Sequence, residues 1–152
     1  GSTYVFSPQA HEALVRVLRG LDYSEIGVHD WYVYALARSI GLTWVIGEEP
    51  TLEYRQHGGN VQGANSGSGA RDARMAKLRN GFYRKQFILT ARAAQKVGSF
   101  DERRARQLRA ILGELEGQGA ASRLRFALRW RQIRRNPVEG LKLAAARVLG
   151  VW

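Results

Sequence analysis

From Arg71 to Trp152 the chain offers its backbone little besides helix. Met75, Leu78, Phe82, Leu89 and Ala93 recur at helical spacing, so one long amphipathic helix is expected as far as Gly98. Ser99 with Glu102 has the form of a capping box for the next helix, which keeps Leu108, Ile111, Leu112 and Leu115 on one side and stops at Gly117. A third helix is expected over residues 120–135, with two apolar stripes (Leu124, Leu128 and Phe126, Trp130, Ile133) separated by arginines. Asn136-Pro137 opens a fourth, whose Leu141, Ala144, Ala145, Val148, Leu149 and Trp152 make a wide apolar face.

The charge divides along the same line. Residues 1–70 carry four arginines against seven acids, a net −3, and residues 71–152 carry 20 basic residues against six acids, a net +14. A strongly basic helical half suits a polyanion or an anionic surface, although arginines spread over solvated helix faces would give the same count. There is no cysteine, which excludes disulfides and thiolate metal sites. No apolar run approaches the ~20 residues that cross a bilayer, and the first residues lack a charged-then-apolar leader pattern.

The first 70 residues read differently. Thr3–Phe6 is β-branched and aromatic, the pattern of a short strand. Ser7-Pro8 then starts a helix bearing Leu14, Val17, Leu18 and Leu21. A second helix begins at or just after His29-Asp30, buries Val33, Leu36, Ala37 and Ile40, and is capped by Gly41. Thr43–Ile46 and Thr51–Arg55 alternate like two strands about a turn at residues 47–50. Residues 62–70 have almost nothing to bury and read as a flexible loop.

Two polar clusters bracket this excursion. His29-Asp30 precedes the second helix, and Arg55-Gln56-His57-Gly58-Gly59-Asn60 follows the strands. Asp30 fits an N-cap. It also fits a carboxylate held ionised at the positive end of a helix, ready to accept a proton. His57 lies among glycines that let a ligand approach the backbone, although a histidine on a loop is commonly just solvated.

Taken together, His29-Asp30-Trp31, a helix, two strands and Tyr54-Arg55-Gln56-His57-Gly58-x-Asn60-Val61 resemble the C-terminal half of family-2 inverting glycosyltransferases. The likeness is to rhamnosyltransferase-like bacterial members that build cell-surface polysaccharide. Gly1–Ser7 is similar to that family's acceptor-side strand, and Asn136–Leu141 to the end of its chains. The resemblance implies an α+β, mainly α fold: the C-terminal part of a GT-A domain with few short strands, followed by a helical tail. It implies an acceptor-side, base-bearing part over residues 1–61, the loop at 62–70 and a basic helical tail over 71–152. Asp30 matches the catalytic base, and His57 the position that meets a divalent metal (Mg or Mn) or the departing diphosphate. His29, Arg55, Gln56 and Asn60 would bind substrate, and Trp31 would either pack under the acceptor sugar or serve as an ordinary core tryptophan. The partners implied are a nucleotide-diphosphate sugar and a glycan or lipid-linked acceptor, with the chain lying on the cytoplasmic face of an anionic membrane.

One departure from the family is large. Asp22, Asp30, Asp72 and Asp101 never fall two apart, so the Asp-x-Asp pair that presents metal and nucleotide is missing, as are the βα units that cradle the nucleotide. The isolated chain is therefore expected to be inactive and to hold no metal tightly. Two other classes fit the composition: a nucleic-acid-binding module and a non-catalytic docking scaffold. The first lacks a recognition-helix, zinc or aromatic-platform motif, so nucleic acid is an unlikely partner.

Overall fold

The computed structural model describes residues 4–47, 68–134 and 136–152. Among them the regular structure is entirely helical: α1 (Pro8–Leu18), α2 (His29–Ser39), α3 (Ser68–Arg79), α4 (Phe82–Val97), α5 (Glu102–Glu116), α6 (Ala120–Leu128), α7 (Trp130–Ile133) and α8 (Pro137–Val148). Helix boundaries follow local chemistry. Ser7 caps α1 by accepting from the Ala10 amide at 3.2 Å, with Pro8 in its first turn. Gly41, at φ +84°, closes α2, with Leu42 N–H returning to Ala37 O and Gly41 N–H to Arg38 O. Asn136 caps α8 through the Val138 amide at 2.9 Å.

The expected α+β GT-A fold is not what the described residues form, because they contain no strand. Residues 4–7 and 42–47 keep the alternation that suggests strands: Tyr4, Phe6 and Trp44 turn inward, while Val5 and Val45 are exposed. They meet through rings instead of a backbone ladder, Tyr4 lying edge-on to Trp44 at 4.7 Å and Phe6 at 6.0 Å. Alternation reports which side chains are buried, and a ladder needs a paired backbone besides. The strand expected at 51–55 lies outside the described residues.

Four helix boundaries also differ. The first helix of the tail, α3, starts at Ser68, inside the stretch 62–70 expected to be a loop. The long helix from Arg71 breaks at Gly81, which adopts φ +76° while Asn80 Oδ1 accepts from the Phe82 amide at 3.0 Å. The cap of α5 is Asp101, accepting from Arg104 N–H at 2.8 Å, while the Ser99 amide goes to Ser39 O. The third expected helix divides at Arg129 into α6 and α7.

Two cores result. Leu14, Tyr32, Leu36 and Ala37 form one, joining α1 and α2, and Leu115, Phe126 and Trp152 form the other. Helix α4 serves both: Ala93 and Val97 pack on the first, Phe87 and Ile88 on the second. It is the spine on which α2 is mounted.

Candidate active site

The site begins at the N-terminus of α2. Its N-cap position is Val28, which supplies no side-chain hydrogen bond, so His29 and Asp30 are the first two helical residues. Asp30 is thus not the cap. Its carboxylate stands in the first turn, where the helix dipole favours negative charge, and lies 2.8 Å from His29 Nε2. The Asp30 side chain is 40% exposed and that of His29 77%, so a solvent-borne hydroxyl can reach both.

Two devices fix this turn in space. Tyr4 donates its hydroxyl to the Asp30 carbonyl at 3.2 Å from within the ring cluster of Phe6, Tyr34 and Trp44. Burial, then the Asp30 charge and Tyr34, push the Tyr4 phenol above its usual range, so the hydroxyl keeps its proton to donate. From the other side, buried Gln86 of α4 clamps the approach to α2. Its Oε1 accepts from the Gly27 amide at 2.8 Å and the Val28 amide at 3.3 Å, and its Nε2 donates to Glu25 O at 3.0 Å. Gly27 also lets the Phe82 ring of α4 close on the same turn, because a Cβ there would lie 2.8 Å from Phe82 Cζ.

Sequence reasoning missed Gln86, though a signal existed. It occupies the apolar stripe of α4 between Phe82 and Leu89, where a polar side chain has no reason to be unless it is bonded.

Trp31 stacks on Phe87 at 5.0 Å and 18°, with Tyr83 at 5.8 Å and the Arg134 guanidinium 6.0 Å from its ring centre. Its ring faces are engaged by protein, and it ties α2 to α4. Phe87 also lines an apolar cavity of about 170 Å³ with Leu115, Phe126 and Trp152, but no candidate site residue lines that cavity. Arg55, Gln56, His57 and Asn60 lie outside the described residues. Among the described residues no three His, Asp or Glu side chains converge to hold a metal ion, so the metal that the family resemblance implies finds no ligand set there. None of the helices among them is long and apolar enough to cross a membrane.

The chain is 41% identical over 69 residues to the dTDP-rhamnosyl transferase RfbG of Shigella flexneri, a stretch that makes up 45% of this chain and 24% of that protein. The match thus spans about a quarter of the curated relative's length. No protein-family model matches, and neither does any solved structure. Part of the chain is therefore related to a glycosyltransferase, on sequence likeness alone.

Proposed function

We propose that this chain is the acceptor-side, base-bearing portion of an inverting glycosyltransferase, with dTDP-rhamnose as the donor suggested by its relative's name. The observation that carries the reading is the 41% identity to that relative over 69 residues. The position of Asp30 agrees with it: a half-exposed carboxylate, beside His29, held at the positive end of a helix whose approach is clamped from two sides.

In this reading the acceptor oxygen attacks the anomeric carbon from the face opposite the diphosphate. Asp30 takes the hydroxyl proton as the new C–O bond forms. The old C–O bond breaks, its electron pair leaves with the diphosphate, and the anomeric configuration inverts. His29 orients the carboxylate, and Arg55, Gln56 and Asn60 bind substrate. His57 is assigned to the diphosphate side. Trp31 holds the first turn of α2 against α4. The nucleotide-binding half, with its carboxylate pair, belongs to chain outside these 152 residues, and the segment alone does not turn over.

The test is a transfer assay on the enzyme carrying both halves, given dTDP-rhamnose and a glycan acceptor, with the product's anomeric configuration read by NMR. Inversion is expected. Retention, or transfer by the 152-residue chain alone, would overturn the reading.

A further inference from the structure

Between α4, α5, α6 and Trp152 the second core leaves an apolar cavity of about 170 Å³. Phe87, Ile111, Leu115, Phe126, Ile133 and Trp152 supply its walls. Three of these are rings that brace one another, Trp152 meeting Phe87 edge-on at 5.9 Å and Phe126 at 5.3 Å. Leu115, Phe126 and Trp152 are each 4% exposed, so the floor of the cavity belongs to the core. Two polar residues complete the lining. Arg129 is already spent: its guanidinium makes two bonds to Glu114, at 2.7 and 3.0 Å, and the pair is neutral. Gln132 is exposed, so the cavity opens to solvent beside its amide.

Protein interiors seldom leave a void this large, because side chains facing a gap lose the attraction of the atoms that would fill it. An apolar void of about 150 Å³ lined by Leu, Ile and Phe stays dry and takes up benzene. This cavity matches that one in size and lining, and adds an amide at its mouth. Water gains little inside walls of leucine, isoleucine and phenylalanine. A charged ligand gains little either, because the cation in the lining already holds a carboxylate. A neutral ring fits the walls. One hydroxyl on that ring would meet Gln132, whose amide both donates and accepts.

We propose that this cavity is a binding site for a neutral, single-ring aromatic molecule carrying one hydroxyl group. The ring packs against Phe87, Phe126 and Trp152, and the hydroxyl bonds to Gln132 at the mouth. The site stands independently of sugar transfer, since neither His29 nor Asp30 lines it.

The test is titration of the 152-residue chain with phenol, followed through the NMR signals of the Trp152 indole and the Phe126 ring. A Kd of about 0.1–1 mM is expected, the range open to a ligand this small. myo-Inositol, a six-membered ring that is polar all round, should leave both signals in place. Ile111→Phe puts a ring into the space, so it should weaken phenol by about tenfold or more and raise Tm. Ile133→Phe serves if that variant misfolds, with circular-dichroism melts checking both. Gln132→Leu should lower the ratio of phenol affinity to toluene affinity by about threefold or more. No shift of either signal at about 10 mM phenol, or undiminished binding in the filled variant, would overturn the site. Binding of inositol, or a phenol-to-toluene ratio unchanged by Gln132→Leu, would overturn the class of ligand assigned to it.

Discussion

Replacing Gln86 with Met removes three hydrogen bonds and almost no volume. Met is close in length and flexible enough to refill the slot, so the change isolates the bonds from the packing. Gly27 N–H, Val28 N–H and Glu25 C=O would each lose a partner from a part-buried loop. At roughly 1 kcal/mol apiece, the loss is about 3 kcal/mol. For a chain of this size that corresponds to a fall in Tm of roughly 6–12 °C. Urea denaturation gives the free energy directly, and hydrogen exchange should show the Gly27 and Val28 amides losing protection before the rest of α2. A destabilisation below about 0.5 kcal/mol, the range of ordinary surface changes, would refute the claim that α4 holds the N-terminus of α2.

Two further substitutions probe the same core. The Tyr32 hydroxyl is buried and bonded to nothing among the described residues, so Tyr32→Phe should stabilise the chain by about 1 kcal/mol in urea. Burial, then the charge of Asp22, raise the Tyr32 phenol. The unfolded chain therefore releases that proton first as pH climbs past about 10, stability falls with rising pH there, and Tyr32→Phe should flatten the slope. Gly27→Ala would press a methyl group against Phe82 and should cost about 1–3 kcal/mol by the same measurement.

Much of the helical frame was legible because it rests on local chemistry. Ser7-Pro8, Gly41 and Asn136-Pro137 mark helix ends through their own conformational preferences and side-chain bonds. The missing strands were not legible, because Tyr4, Phe6 and Trp44 show the same alternation whether their backbones pair or only their rings meet. Nor was the break at Gly81, where the apolar stripe runs on at helical spacing through a left-handed residue. In the site, Asp30 stood out by its place before an apolar helix, but the partners that position it come from Tyr4 and Gln86, 26 and 59 residues from the positions they touch. Arginine showed the same limit. The sequence places Arg129 and Arg147 among the charges of a basic helical tail, whereas the fold spends Arg129 on Glu114 and buries Arg147 among carbonyls.

The most direct test of the central claim is the rate of the enzyme carrying both halves after Asp30→Asn. Asparagine keeps the size and polarity of the side chain and loses only the charge and the ability to take a proton. Losing the charge in the first turn of α2 should cost no more than about 0.5 kcal/mol, a shift in Tm of roughly 1–2 °C. Losing the base should lower kcat by about 10²–10⁴-fold. A near-native melt with that loss of rate is the predicted result. Unchanged turnover would contradict it and leave Asp30 as one more charge at the positive end of a helix.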